Sequence, residues 1–173
     1  MIKYRLAKQE DFEQVLEIEN ECFKQPYSTE DLKYEFEENP VNKIIVAENE
    51  GEVVGFIDFL ITFNSATIMQ IAVTEKFRGK GIATHLLSQM ENSFPKEIDD
   101  LVEMITLEVR ESNIEAINFY KKNGFKEVTI WAESNKNSLK IFLISALFLP
   151  VLRWIIYLIP TSFCSIHSRL SVV

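Results

Sequence analysis

The chain has 173 residues, of which 47% are hydrophobic and 25% are charged, a balance that fits one globular domain and excludes a fibrous repeat or a disordered chain. Its formal net charge of -8 excludes nucleic acid as the expected partner and fits a positively charged one, such as an amine or a basic peptide. The two cysteines, Cys22 and Cys164, form neither a zinc nor a disulfide pattern, so we expect no metal and a cytoplasmic protein. The first five residues lack the apolar segment of a secretory signal, so we expect the domain to begin at residue 1.

Two helices are predicted near the start of the chain. Apolar residues recur at helical spacing over residues 11–23, which predicts the first helix. The second begins at Ser28, whose hydroxyl is suited to capping a helix and is followed three residues later by the carboxylate of Asp31. It is expected to end near Asn39 and Pro40.

Three extended runs follow these helices. Residues 44–47 and 53–57 are rich in β-branched side chains, and the polar, glycine-containing residues 48–52 between them predict a hairpin. A third strand is predicted at residues 66–73. From Ile82 onward the apolar spacing changes to that of a helix, which starts in a glycine-bearing loop.

The remaining predicted elements complete an alternating pattern. They are a strand at residues 104–109, a helix at residues 113–123 and a strand at residues 125–130. Ser112 and Glu115 resemble a capping box for that helix, and Gly124 is suited to end it. The order of elements predicts an α/β fold with a mixed sheet.

A basic, glycine-rich loop separates the third strand from the helix that begins at Ile82. It reads Arg78-Gly79-Lys80-Gly81. Backbone N–H groups at such a helix start form an anion site, the glycines let a diphosphate approach the main chain, and the two cations add mobile positive charge. The spacing matches neither the nucleoside triphosphate loop nor the dinucleotide fingerprint, which leaves coenzyme A as the expected diphosphate carrier.

Several motifs together resemble the GCN5-related N-acetyltransferase (GNAT) superfamily. Its motif A, Arg/Gln-x-x-Gly-x-Gly/Ala after a strand ending in apolar-Ala-Val, is matched by Arg78, Gly81 and Ala83. The nearer resemblance is to the RimI type, the ribosomal-protein-alanine N-acetyltransferases. It is carried by Ile18-Glu19, Phe23-Lys24-Gln25-Pro26-Tyr27-Ser28, Leu107-Glu108-Val109-Arg110 and Asn113-x-x-Ala116-x-x-Phe119-Tyr120-x-x-x-Gly124-Phe125. It covers about residues 2–130.

This resemblance implies the GNAT fold, a mixed and mostly antiparallel central sheet with helices on both faces, and a reaction. An acceptor amine, most simply the N-terminal alanine of a ribosomal protein, would attack acetyl-CoA directly in a ternary complex, with no covalent acyl-enzyme. Glu108 corresponds to the general base and Tyr120 to the general acid. The residues that correspond to the acetyl-CoA site are Ile71, Ala72, Val73, Arg78, Gly79, Lys80, Gly81, Ile82, Ala83, Thr84 and Asn113.

The residue types suit these roles, although each has a simpler alternative. Strand alternation places Glu108 on the opposite side of the sheet from its apolar neighbours, where it is either a base or a surface carboxylate paired with Arg110. Tyr120 either protonates the departing thiolate or packs in the core, and packing is the better interpretation of Phe119. Asn113 is alternatively no more than a helix-start residue.

The C-terminal part departs from the RimI pattern. That family continues with a basic segment and a last strand, whereas residues 141–160 here form a long apolar run. We therefore predict a GNAT domain at residues 1–134 and an atypical tail at residues 135–173, in which the apolar run replaces the last strand. Three interpretations of the tail stay open: a membrane contact through residues 139–160, a substitute for the missing strand, or a reading-frame accident.

Three functions are therefore carried forward. The first is acetylation of a protein N-terminus, by likeness to the RimI type. The second keeps the fold and acetylates a small-molecule amine. The third is a non-catalytic acyl-CoA-binding module at a membrane, which the unusual tail brings into consideration.

Overall fold

The structure is a computed structural model that describes residues 1–94, 102–128 and 140–146. Its centre is one seven-stranded sheet with the order β1-β2-β3-β4-β5-β7-β6. The strands are β1 Ile2–Leu6, β2 Asn42–Asn49, β3 Glu52–Thr62, β4 Ser65–Val73, β5 Met104–Arg110, β6 Lys126–Val128 and β7 Lys140–Ala146. Only the pair β4–β5 is parallel among these strands, so the predicted mixed, mostly antiparallel sheet is confirmed.

In the part of the chain that the structure describes, four α-helices cover the two faces of the sheet. They are α1 Phe12–Cys22, α2 Thr29–Glu37, α3 Ile82–Asn92 and α4 Ile114–Lys122. Short 3-10 helices lie at Gln9–Asp11 and Glu75–Phe77. The predicted positions of all four α-helices are confirmed to within a few residues, because each carries an apolar stripe that the sheet buries.

Alternation along the strands divides the core into two clusters. Ile57 and Ile71 point to the larger cluster, which α3 and α4 cover. Their chain neighbours Phe56 and Ala72 point to the smaller cluster, which α1 and α2 cover. We call these two sides the α3/α4 face and the α1/α2 face. All four side chains are buried, and fully burying a large apolar side chain stabilises the fold by about 2 kcal/mol.

Strand β1 is an element that the sequence pattern did not predict. It pairs antiparallel with β2 at the edge of the sheet, with Tyr4 opposite Ala47. The ring of Tyr4 stacks on His85 of α3 with centroids 5.7 Å apart, and His85 Nδ1 lies 2.9 Å from the Gly81 carbonyl oxygen. This contact joins the edge strand to the first turn of α3.

The helix caps agree with the sequence at α2 and differ at α4. Ser28 Oγ accepts a hydrogen bond from the Asp31 N–H at 3.0 Å, as predicted. The predicted capping box of Ser112 and Glu115 is wrong, because the cap of α4 is Asn113, whose Oδ1 accepts from the Ala116 N–H at 3.1 Å. Asparagine caps as well as serine does, and the helix begins one residue later than the box requires.

Strand β7 comes from the apolar run and lies between β5 and β6. It pairs antiparallel with both, so that Leu143 lies opposite Leu107 on one side and Glu127 on the other. This is the substitute for the last strand that the sequence analysis held open. The sheet therefore continues past residue 134, where the domain boundary is predicted.

Part of the predicted tail lies outside the described residues. Of the strand predicted at residues 125–130, Lys126–Val128 is confirmed, and residues 129–139 and 147–173 are not described. The predicted membrane contact at residues 139–160 therefore falls mostly outside the structure, and its described part is β7. Within the described ranges, no helix has both the length and the apolar character needed to cross a membrane.

Candidate active site

A bulge interrupts β4 in the middle of the sheet. Asp58 of β3 lies opposite Gln70, whereas the next residue, Phe59, lies opposite Ile68. Met69 is therefore an extra residue on β4, and such a bulge bends its strand and increases the local twist.

Beyond this bulge β4 separates from β5. Their parallel pairing runs from Ser65 opposite Met104 to Ile68 opposite Leu107. The following segment of β4, residues 71–73, pairs with β3 on one side and lines a cleft on the other. The two central strands thus open like a V, and the backbone of β4 is accessible in the opening.

The cleft has a volume of about 270 Å³ and lies between the end of β4, the loop before α3, and α4. Its walls include most of the residues predicted for the acetyl-CoA site, and Lys80 and Asn113 are the exceptions. Three lining residues were not predicted. The lining residues are Ile71, Ala72, Val73, Phe77, Arg78, Gly79, Gly81, Ile82, Ala83, Thr84, Phe119 and Lys122.

The loop before α3 has the conformation that an anion site requires. Gly79 and Gly81 have φ angles of 71° and 79°, which residues with a Cβ rarely adopt. A Cβ at Gly79 would meet no atom within 4 Å, so the space beside the main chain is open. Gly81 is the N-cap of α3, and the free N–H groups and dipole of that helix start attract negative charge. A diphosphate fits this loop.

The side chains of Arg78 and Lys80, predicted to be mobile, each contact a neighbouring group. Arg78 was expected to be mobile, but its Nε donates to the Val73 carbonyl oxygen at 3.0 Å and its Nη2 lies 3.6 Å from Cys22 Sγ. The Lys80 ammonium sits 4.6 Å from the centroid of the Phe77 ring. Arg78 therefore joins the end of β4 to the loop and to α1, and it also brings positive charge to the cleft.

Lys122 is a further cation that sequence reasoning missed. It lies one turn after Phe119 on α4, and both side chains line the cleft. Their three-residue spacing puts them on one side of the helix. That spacing is the signal that could have identified the pair, once the side of α4 that faces the cleft was known.

Glu108 faces the α1/α2 side of the sheet. Its neighbours Leu107 and Val109 belong to the core under α3 and α4, and the alternation of β5 confirms that Glu108 points the other way, partly exposed. The next residue on that strand and face, Arg110, donates from Nη2 to Gln25 Oε1 at 3.2 Å, in the connection between α1 and α2. Glu108 thus stands where β4 and β5 part, beside that connection.

Phe119 and Tyr120 are consecutive on α4 and differ in burial. Phe119 is half-buried, packs against the core as expected and also lines the cleft, whereas Tyr120 is fully buried, which is the packed alternative named for it. The Tyr120 ring packs edge-on against Phe119 and Phe125, with centroids 5.1 and 5.3 Å away. Its hydroxyl finds no hydrogen-bond partner among the described residues, and burial raises the pKa of the phenol above its ordinary value. The group is therefore protonated at neutral pH.

Comparison with known proteins assigns the sequence and the fold to one class. The model of the acetyltransferase (GNAT) family matches residues 12–125. The chain therefore belongs to the GNAT family. It is an acetyl-CoA-dependent N-acetyltransferase, and acetyl-CoA is its acetyl-donor substrate.

Individual relatives agree with this assignment. An uncharacterized N-acetyltransferase of Methanocaldococcus jannaschii is 37% identical over 71% of this chain and 77% of its own length. A candidate ribosomal protein bS18-alanine N-acetyltransferase of Bacillus subtilis is 32% identical over 70% of this chain and 79% of its own length. The fold matches that of the PaiA N-acetyltransferase of Thermoplasma acidophilum in complex with coenzyme A, with a TM-score of 0.71 and 22% identity, over 84% of this chain and 99% of that one.

Proposed function

We propose that this enzyme acetylates the N-terminal alanine of a ribosomal protein. The observation that carries the proposal is the position of Glu108, a carboxylate on the α1/α2 face where β4 and β5 part. The Bacillus subtilis relative is named for this activity. An acidic chain with a net charge of -8 also favours a positively charged acceptor such as a protein N-terminus.

In this proposal acetyl-CoA, the acetyl donor, lies in the cleft between the end of β4, the loop before α3, and α4. The loop at Gly79 and Gly81 holds the diphosphate with backbone N–H groups, and Lys122 adds a cation. The backbone of residues 71–73 lies along the pantetheine arm. Phe77 and Phe119 supply apolar walls that exclude water from it. The thioester supplies an acyl carbon that an amine can attack.

Two protons have to move for each turnover. The acceptor ammonium gives one proton to Glu108, directly or through a water, and becomes a neutral nucleophile. The C–N bond then forms and the C–S bond breaks. The nitrogen loses its second proton and the departing sulfur gains one, for which the proposed donor is Tyr120, whose ring packs against Phe119 in the cleft wall. Amide, thiol and one released proton balance the reaction.

The test measures coenzyme A release with three kinds of acceptor: a peptide that begins with alanine, a polyamine and an aminoglycoside. We expect the peptide to be used with the highest kcat/KM. Glu108→Gln is expected to lower kcat by roughly 10²- to 10⁴-fold, because it removes a general base, and Tyr120→Phe is expected to lower kcat as well. Acetyl-CoA affinity, measured by calorimetry, should stay within about twofold in both variants.

Two outcomes would contradict this proposal. Higher kcat/KM with a polyamine or an aminoglycoside than with any peptide would point to a small-molecule acetyltransferase. Unchanged turnover in both variants would remove the catalytic roles proposed for Glu108 and Tyr120. Replacement of Ser112 by alanine is the control, since this exposed residue neither lines the cleft nor caps α4.

A further inference from the structure

A second carboxylate and an amide lie on the same face of the sheet as Glu108. Asp58 on β3 is directly opposite Gln70 on β4. Their neighbours Ile57 and Ile71 both belong to the core under α3 and α4, so Asp58 and Gln70 point to the α1/α2 face. Directly opposite side chains on a sheet have Cβ atoms about 5 Å apart. Glu108 stands on the next strand after β4, facing the same side.

The polar atoms of this pair are buried without partners. Asp58 and Gln70 are each 0% exposed. By geometry, no hydrogen bond reaches either carboxyl oxygen of Asp58 or either polar atom of the Gln70 amide among the described residues. Burying polar groups unpaired costs free energy, and native proteins keep few such groups. Side by side in mid-sheet, these two side chains offer hydrogen-bonding groups that a polar group of another molecule can satisfy.

The charges around Asp58 select the sign of that group. Burial raises the pKa of its carboxyl well above the ordinary value, and the nearby carboxylates of Glu35 and Glu19 raise it further. Hydrogen bonding by the side chain of Asn42 acts in the opposite direction, and the same amide nitrogen also donates to the Glu35 carbonyl oxygen at 3.2 Å. Both formal charges that act on Asp58 within the described part of the chain are thus negative. A cation would be stabilised there and an anion repelled.

The pair is also next to the place of reaction. Gln70 directly precedes residues 71–73, the segment of β4 that lines the donor cleft. Glu108 is partly exposed, so it marks the solvent end of the row. Gln70 and Asp58 continue the row beneath α1 and α2. Because β4 lies between β3 and β5, Gln70 stands between Asp58 and Glu108.

We propose that Asp58 and Gln70 bind the protonated amine of the acceptor before Glu108 removes its proton. This inference rests on the proposed acetylation of an amine and adds the subsite that receives it. The ligand class is a primary ammonium group. The Gln70 amide oxygen accepts a hydrogen bond from the ammonium, and the Asp58 carboxyl ionises as the cation binds and becomes its counter-ion.

The experiment titrates n-butylammonium chloride into the full-length protein saturated with coenzyme A and follows binding by NMR. Wild type is expected to bind, and Asp58→Asn and Gln70→Leu are each expected to weaken binding at least tenfold. Asp58→Asn should keep or raise Tm, because it removes an unpaired buried carboxyl. The matched control is Asp11→Asn, a buried carboxyl that has partners, and it should lower Tm and leave n-butylammonium binding unchanged.

Absence of n-butylammonium binding to the wild type, or equal binding by wild type and both variants, would overturn the subsite. A variant that fails to fold is replaced by the other, since each removes one half of the pair. The peptide assay reports separately on the proposed function. If the protein binds n-butylammonium in a way that depends on Asp58 but does not acetylate peptides, the proposed peptide acceptor is refuted and the subsite stands. If peptides are acetylated and their KM is the same in Asp58→Asn as in the wild type, the subsite is refuted and the proposed peptide acceptor stands.

Discussion

Arg5 and Asp11 form a dense set of charged hydrogen bonds near the chain start. The two terminal nitrogens of the Arg5 guanidinium, Nη1 and Nη2, donate to the two Asp11 oxygens at 2.6 and 2.8 Å, and the Lys8 N–H donates to the same carboxylate at 2.7 Å. The Asp11 side chain is 3% exposed. The Arg5 hydrogen bonds hold the pKa of that carboxyl below its usual range. This interaction fastens β1 to the start of α1, and Asp58 is the contrasting buried carboxyl without such partners.

Replacing Asp11 by asparagine is expected to destabilise the protein by about 2 kcal/mol, because hydrogen bonds to charged groups are lost in a buried place. The lowered pKa makes this contribution fully present above about pH 4, the ordinary value for an aspartate, and it is lost as the pH falls below that. Urea unfolding of wild type and variant at pH 6.5 and pH 3 measures the difference. A gap of the same size at both pH values would contradict the assignment.

Single capping residues set where the helices begin, and the sequence identified some of these residues better than others. Ser28 was identified because its hydroxyl, Asp31 and the apolar spacing agreed. Asn113 was predicted to contact acetyl-CoA, and in the structure its side chain caps α4. Ser112, Asn113 and Glu115 offer two overlapping cap patterns, and sequence alone does not choose between neighbouring caps.

Removing the side-chain cap of α4 tests that assignment. Asn113→Ala is expected to cost about 1 kcal/mol of stability, as other lost N-caps do, whereas Ser112→Ala should change stability by less than about 0.5 kcal/mol. Thermal unfolding of the two variants side by side measures both. A larger loss in the Ser112 variant would restore the capping box.

Strands β3 and β4 lie close together at Gly55. A Cβ there would lie 2.7 Å from the Ala72 carbonyl oxygen, which is backbone and has little freedom to move. Gly55→Ala is therefore expected to cost about 2 kcal/mol by overpacking and, because Ala72 lines the cleft, to weaken acetyl-CoA binding. Gly51→Ala is the control: a Cβ there meets nothing within 4 Å at a φ of 90°, so stability should fall and acetyl-CoA affinity should not. Calorimetry and unfolding measure the two effects separately.

The strands and helices were largely predictable, and the orientation of single side chains was less so. Alternation in β5 gave the side on which Glu108 lies, because period two leaves one choice once the core face is known. Phe119 and Tyr120 are consecutive on a helix, so both cannot face the core equally, and their order in space depends on how α4 is rotated. Asp58 was hidden in an otherwise apolar strand, where composition gives no sign of an unpaired carboxyl.

One strand of the sheet, β7, lies beyond the predicted end of the domain. Strand β7 is hydrogen-bonded to β5 on one side and to β6 on the other. The apolar composition of residues 141–146 suits a strand in the interior of a sheet. The predicted boundary at residue 134 separates this strand from the sheet that contains it.

Truncation distinguishes the two ends of the domain. A chain ended after residue 134 loses β7 and leaves β6 without its partner, so we expect a loss of about 3 kcal/mol, which lowers Tm by on the order of 10 °C at this chain length. A chain ended after residue 146 keeps the pairing and should unfold close to the full-length protein. Equal Tm values for the two truncated chains would show that residue 134 is a true boundary.

The insertion of β7 between β5 and β6 also sets the order of events during protein synthesis. Strands β1 to β5 leave the ribosome before Lys140, so they can pair while translation continues, whereas β6 has to wait for a strand that is made after it. Until then the nascent chain exposes one long side of β5. A translational pause between residues 110 and 140 would prolong that exposure, and chaperone capture of stalled chains should be greatest there.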